Sequence, residues 1–245
     1  MSFLVKIYPL DLRRRELWSP LIPVFRLLTL PFAYLSILIK IHPNFLTIVS
    51  FLTLILSGAF ALFANFFISS LLMILTLSLD VIDGEVARGT DKQTVLGLKM
   101  ETLHADLTLL IYPSSLAVGI FNSGLMSMWT LFFVIISAAL YIRYRSTYSN
   151  SSVSDEPSGK SMMQLLILSQ QKPNENIRRV TFLGKVLFFS RMNLATQVGF
   201  PFIISVIFSA IDVGIVVLPL QIMATSQLIF AFAVVIGGLV RPLDS

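Results

Sequence analysis

The sequence predicts an all-α fold in which several helices cross a membrane. Of the 245 residues, 56% are hydrophobic and only 13% are charged, and the mean hydropathy is +0.84. Soluble domains are about 25% charged. Apolar segments of the ~20 residues that a helix needs to cross a bilayer recur along most of the chain. Composition and segment length together therefore predict a polytopic integral membrane protein.

Six apolar segments are predicted to be transmembrane helices. Short polar turns at Asn65, Asn122 and Asp212 separate some of them, and residues 146–192 form the one long polar connection. Each segment is close to the length that a bilayer requires. The predicted spans are residues 45–64, 66–88, 97–119, 125–142, 193–211 and 214–240.

The residues ahead of the first span are predicted to form a separate unit. We expect residues 1–44 to be an N-terminal cytoplasmic segment and residues 45–245 to be the six-helix membrane domain. The segment of residues 25–41 is mostly apolar but shorter than a typical membrane span, and it includes Arg26 and Lys40. This pattern favours an amphipathic helix lying along the membrane surface. A seventh span over the same residues is the alternative.

The positive charges predict the orientation. All 18 Lys and Arg residues fall on one side of the six-span arrangement, and none lies in the turns near residues 65, 120–124 and 211–214. The positive-inside rule places the charged side in the cytoplasm. A span over residues 25–41 would instead place the Lys and Arg residues ahead of it on the outer side of the membrane. We therefore expect a cytoplasmic (inner) membrane protein whose polar motif, described next, faces the cytoplasm.

Composition also limits the classes of site and partner. There is no cysteine, which excludes disulfides and thiolate metal sites, and two histidines are too few for a His-rich metal cluster. The formal net charge is +5. In a membrane protein, this excess indicates contact with anionic lipid headgroups or phosphates rather than with nucleic acid.

Six of the 13 acidic residues lie at the adjoining ends of the second and third predicted spans or in the turn between them. Asp80 and Asp83 lie one turn apart on one helix face, with Gly84 beside them. A carboxylate at the centre of a membrane helix costs about 2.5–3.5 kcal/mol, so a group of them indicates a function. Two such side chains can hold a divalent cation, and a glycine lets a phosphate approach closely. Arg88, one turn beyond Gly84, can bind a phosphate oxygen.

This spacing resembles the signature of the CDP-alcohol phosphotransferase (CDP-alcohol phosphatidyltransferase) family. The family pattern reads D-x2-D-G-x2-A-R, about eight residues, then G-x3-D-x3-D. Two positions differ here, because the third aspartate is Glu101 and the fourth falls on Ala105. The matching positions are Asp80, Asp83, Gly84, Ala87, Arg88 and Gly97.

The resemblance implies a transferase of lipid metabolism. A phosphoalcohol group, of phosphatidyl type, would pass from a CDP-linked donor to an acceptor hydroxyl with release of CMP, in the biosynthesis of phospholipids or related lipids. Asp80, Asp83 and Glu101 would ligate Mg²⁺ or Mn²⁺, the hard cations that suit carboxylate ligands. Partners would be the two substrates and membrane lipids, and the family likeness also implies a homodimer.

The resemblance further implies the residues that bind substrate. Gly84 and Ala87 would leave room for the cytidine nucleotide, and Arg88 would support the site. Gly184 and Lys185 faintly resemble a lysine-bearing segment that family members carry before their fifth span, which makes Lys185 a candidate phosphate contact. Basic side chains facing anionic lipid are the alternative for this segment.

The general base is the position at which the motif is altered. The resemblance would assign this role to an aspartate at residue 105, where alanine cannot accept a proton. His104 lies about 60° from Glu101 around the helix and has a side chain suited to proton transfer near neutral pH. Asp106 lies about 140° away and would serve only if the helix were distorted. We expect His104, with Asp106 as the second candidate.

Two other functions remain open from the sequence. A family member without the fourth aspartate can bind a nucleotide and metal without turnover. A membrane transporter also uses intramembrane carboxylates. The spacing of Gly84, Ala87 and Arg88 favours the transferase, because ion conduction does not require it.

Single cysteines test the predicted topology, since the native chain has none. Asn122→Cys and Asp212→Cys should react with a membrane-impermeant maleimide added outside intact cells. Asp91→Cys and Asp155→Cys should react only after permeabilisation, because the positive-inside rule places them in the cytoplasm. Labelling of residue 155 from outside would contradict the six-span arrangement.

Overall fold

A computed structural model describes residues 21–151 and 200–240 of the chain. Within these residues the regular structure is entirely helical, with no strand. The predicted all-α polytopic membrane fold is confirmed. The helices described are α1 (Leu21–Leu38), α2 (Pro43–Leu62), α3 (Phe66–Gly89), α4 (Val95–Asn122), α5 (Met128–Ser151), α6 (Phe200–Ser209) and α7 (Val213–Val240).

Four of these helices are long and apolar enough to cross a membrane, namely α2, α3, α4 and residues Val213–Ala233 of α7. They correspond to four of the six predicted spans. The predicted fourth span corresponds to α5, whose apolar part, Met128–Tyr144, is shorter. The predicted fifth span is described only from Phe200, where α6 begins. Its first residues lie outside the described part of the chain.

The helix starts follow from local capping. His42 caps α2 through its Nδ1, which accepts from the backbone N–H of Asn44, and Pro43 occupies the first turn, where its missing N–H is not needed. Thr94 caps α4, because its hydroxyl accepts from the N–H of Gly97 at 3.0 Å. The third span therefore begins at Val95, two residues before the predicted boundary.

The helix α2 lies in contact with both α3 and α4, and small residues allow the close approach. A Cβ atom on Gly119 of α4 would lie 2.0 Å from the backbone oxygen of Ala61. Hydroxyl groups link α2 to α3. Ser57 and Ser69 each donate to the other's backbone carbonyl at 2.8 Å, so these buried polar groups are satisfied without water, as a bilayer interior requires.

The remaining helices complete one apolar core. Helix α5 packs against α4 and α7, and α6 packs against α7. Two fully buried tyrosines lie in this core: Tyr112 stacks at a tilt against Phe202 and Tyr141 against Phe230, with ring centroids 5.6 and 5.1 Å apart. The Tyr112 hydroxyl is 3.1 Å from Ser209 Oγ. The core thus joins α4 and α5 to the C-terminal helices.

The predicted N-terminal helix exists as α1, and it packs along α3. Its inward face carries small or hydroxyl side chains, such as Thr29 and Ala33, whereas Leu28, Phe32 and Leu35 are exposed. Large apolar side chains thus face outward, the reverse of a water-soluble helix. The apolar part of α1, Phe25–Leu38, is shorter than a membrane span. The described portion of the N-terminal segment is thereby attached to the motif-bearing helix.

The contact between α2 and α4 leads to a test of packing. Gly119→Ala should lower the stability by about 1–3 kcal/mol, because the added methyl group meets the rigid backbone at Ala61. Gly58→Ala is the matched comparison, since its nearest obstacle is the Ile111 side chain at 2.8 Å, which can rotate away. Thermal unfolding in mild detergent should show the larger decrease for Gly119→Ala. Equal losses would mean that the two helices separate freely at Gly119.

Candidate active site

The motif residues occupy the last turns of α3 and the first turns of α4. A small apolar cluster supports them, in which Ala33 of α1 and Leu46 of α2 pack with Ile82 and Val86 of α3. The face of α3 that carries Ile82 and Val86 is thereby anchored. The acidic side chains of α3 lie at neighbouring positions on the same turns of the helix.

Asp83 is buried and is held by α2. Its side chain is only 7% exposed, and its Oδ2 accepts a hydrogen bond of 2.5 Å from the Thr47 hydroxyl. A buried carboxylate without such a partner would be costly. Thr47 lies in the first turns of α2, so the start of that helix determines where the Asp83 carboxylate points.

Asp80 contacts His104, which links α3 to α4. Asp80 Oδ1 lies 2.9 Å from His104 Nδ1. On the other side of the ring, His104 Nε2 lies 2.9 Å from Ser50 Oγ, and the Phe51 ring meets the imidazole edge-on with centroids 4.9 Å apart. The imidazole is fully buried. The structure therefore brings His104 to the motif carboxylates, on the face predicted for it.

Glu101 is the most exposed of the three carboxylates proposed as metal ligands. It lies near enough to Asp80, Arg88, Arg26 and His104 to interact with them electrostatically. Asp80 of α3 and Glu101 of α4 thus interact across the two helices, and both arginines lie within electrostatic reach of Glu101. Such a pair of carboxylates is stabilised by opposite charge, whether from arginine or from a bound cation.

Gly84 lies directly beneath Arg88. A Cβ atom on Gly84 would lie 3.2 Å from Arg88 Nη1, so the guanidinium folds back over the glycine. Ala87 is partly buried on the same helix. The structure therefore has the Arg88 guanidinium over the surface of Gly84, the residue that follows Asp83, and phosphate binding there stays a prediction.

Of the two remaining predicted residues, only Asp106 lies in the described part of the chain. Helix α4 is a continuous α-helix, and Asp106 lines a shallow surface pocket with Lys99, Thr102 and Leu103. The structure thus does not bring Asp106 to the other carboxylates. Lys185 lies outside the described residues.

An ion pair between α1 and α3 was missed by the sequence analysis. Arg26 Nη1 lies 3.2 Å from Glu85 Oε1, and the Glu85 side chain is fully buried. The available signal was the arginine within an otherwise apolar helix, which needs an anionic or polar partner. The partner is 59 residues away. This pair attaches the N-terminal helix to the motif.

The donor set suits a hard divalent cation in its chemistry. Asp80, Asp83 and Glu101 supply only oxygen ligands, which Mg²⁺ and Mn²⁺ prefer. Within residues 21–151 and 200–240, no three acidic or histidine side chains are gathered closely enough to hold a metal ion. The three carboxylates would therefore have to turn toward a common point to bind one.

The fold and the site define a polytopic membrane protein with an acidic site at the ends of two helices. A family model, CDP-alcohol phosphatidyltransferase, matches residues 40–237. The chain therefore belongs to the CDP-alcohol phosphatidyltransferase family, which consists of transferases acting on a CDP-alcohol donor and an alcohol acceptor. The family is generally dependent on divalent metal ions. No curated protein matches the chain.

The ion pair between Arg26 and Glu85 can be tested by a double-mutant cycle. Arg26→Met should destabilise the protein by about 3–5 kcal/mol, because it leaves a buried carboxylate without this cation. Combining it with Glu85→Gln should recover most of that loss. Lys40→Met, which removes an exposed cation after the same helix, is the control and should change the unfolding temperature little. Additive effects of the first two substitutions would show that the pair is not coupled.

Proposed function

We propose that the protein transfers a phosphoalcohol group, of phosphatidyl type, from a CDP-alcohol to an acceptor hydroxyl at the membrane and releases CMP. The observation that carries this proposal is the arrangement of Asp80 and Asp83 beside Gly84, with Arg88 folded over the glycine and Glu101 approaching from α4. Family membership supports the reaction class. The pathway we propose is the biosynthesis of phospholipids or related lipids.

In the proposed reaction, the acceptor oxygen forms a bond to the phosphorus that carries the donor alcohol. The phosphoanhydride bond breaks, CMP leaves with its electron pair, and the proton of the acceptor hydroxyl passes to water. Asp80, Asp83 and Glu101 would hold Mg²⁺ or Mn²⁺, which neutralises the diphosphate when bound. Gly84 and Ala87 would leave space for the nucleotide when Arg88, which lies over Gly84, turns to bind a phosphate oxygen.

The membrane placement extends the proposal. Since the Lys and Arg residues lie on one side of the predicted spans, we propose that the site faces the cytoplasm, where soluble nucleotides occur. The exposed apolar side chains of α1 and α2, such as Phe32, Phe45 and Leu52, would contact lipid. A homodimer, with Lys185 near the donor phosphates, completes the proposal on the family likeness.

A binding protein without turnover is the second candidate. Ala105 favours it, since a methyl group stands where the family pattern expects an acidic side chain. CMP release separates the two functions, because a binder retains nucleotide without cleaving it. A panel of CDP-linked donors and alcohol acceptors with the purified protein would therefore identify both the activity and the substrates.

Metal dependence gives a direct test. CMP release should require Mg²⁺ or Mn²⁺, and Asp83→Asn should abolish it while membrane insertion persists, because a carboxylate ligand is lost. Asp212→Asn is the control: this exposed side chain accepts from the N–H of Gly214 at 2.9 Å, and asparagine can keep that bond. Full activity in the presence of EDTA would contradict the assignment.

A further inference from the structure

We propose that His104 is a positioning residue. It orients the Asp80 carboxylate, and Ser50 supports the opposite side of the imidazole ring. His104 does not take the proton of the acceptor hydroxyl. The inference rests on the proposed function, in which Asp80 is a metal ligand. It assigns to His104 a role that differs from the one that the sequence suggested. The argument depends on what the imidazole touches on each side.

Both ring nitrogens are already in contact with protein atoms. Nδ1 lies 2.9 Å from Asp80 Oδ1, a close contact that lacks the angles of a hydrogen bond, and Nε2 lies 2.9 Å from Ser50 Oγ. The edge-on Phe51 ring covers a third side, and the residue is fully buried. A general base must present an atom to the hydroxyl that it deprotonates. Neither nitrogen is presented in this arrangement.

Ser50 is itself held in place. Its hydroxyl donates to the backbone carbonyl of Thr76 at 3.0 Å, and its side chain is fully buried. Thr76 and Asp80 lie one turn apart on α3. The contacts therefore connect Thr76 of α3 to Ser50 of α2, and Ser50 to His104 of α4. His104 in turn contacts Asp80, which is again on α3. Such a closed set of contacts restricts the rotation of each member.

The helix packing explains why this contact matters. Helix α2 packs along both α3 and α4, whereas α3 and α4 touch each other directly at few positions. The pair of Asp80 and His104 is one of these direct links. His104 Nδ1 lies against one carboxylate oxygen of Asp80, which limits how that carboxylate can turn. In metal sites, partners that orient a ligating group change metal affinity or activity by about 10–100-fold when removed.

The test measures Mn²⁺ binding to the purified full-length protein in lipid nanodiscs, by electron paramagnetic resonance of free Mn²⁺. His104→Ala should weaken binding by about 10–100-fold. His104→Asn should restore most of the affinity, because its amide can approach Asp80 but cannot serve as a base. Ser50→Ala should weaken binding less than His104→Ala, because the imidazole loses its support but remains.

Two buried residues provide matched controls. Ser57→Ala removes a hydroxyl of α2 that donates to the Ser69 carbonyl at 2.8 Å, and Thr108→Val alters α4 one turn beyond His104. Both should keep the wild-type Mn²⁺ affinity, because neither residue touches Asp80 or His104 in the contacts described above. A comparable loss of affinity in the controls would overturn the inference, since any buried polar change would then act on the site.

Turnover separates the positioning role from a base. With saturating Mn²⁺, His104→Asn should keep most of the CMP release. Equal losses of about 10²–10⁴-fold in His104→Asn and His104→Ala, at wild-type Mn²⁺ affinity, would overturn the inference and identify His104 as the base. If His104→Ala does not fold, the Mn²⁺ affinities of His104→Asn and Ser50→Ala decide the question. If the wild-type protein releases no CMP from any donor, the proposed function fails, while the Mn²⁺ affinities still test the positioning role.

Discussion

The arrangement of the site depends on α2, which contacts both helices that carry the acidic motif. Its close approach to α4 is possible because Gly119 has no side chain. Its own hydroxyl groups reach the motif, since Thr47 donates to Asp83 and Ser50 contacts His104. A bilayer interior supplies no water to satisfy buried polar groups. Helix α2 therefore serves as a packing surface and as the source of polar partners for the site.

The altered half of the motif is best understood from its surroundings. Glu101 keeps a carboxylate at the third acidic position and lengthens it by one methylene, and it remains within electrostatic reach of Asp80. Ala105 removes the fourth carboxylate. The adjacent His104 is buried between Asp80 and Ser50. The chain thus has an imidazole against the first motif carboxylate, next to the position where its family pattern has an acid.

Much of the fold follows from local sequence properties. The length of the apolar segments predicts four helices that the structure describes as long enough to cross a membrane. The spacing of Asp80 and Asp83, three residues apart, places them on one face of α3 because a helix turns about 100° per residue. The same periodicity places Asp106 away from Glu101 and His104 toward it. These conclusions need only helix geometry and composition.

Contacts between helices are what only the tertiary structure decided. Arg26 and Glu85 are 59 residues apart, Ser50 and His104 are 54 apart, and Thr47 and Asp83 are 36 apart. Periodicity predicts which residues share a face of one helix, but not how that helix is rotated against its neighbours. The sequence by itself therefore determined the helices and the acidic face of α3. The pairing of each carboxylate was decided by packing, because small residues set how closely the helices approach and which side chains meet.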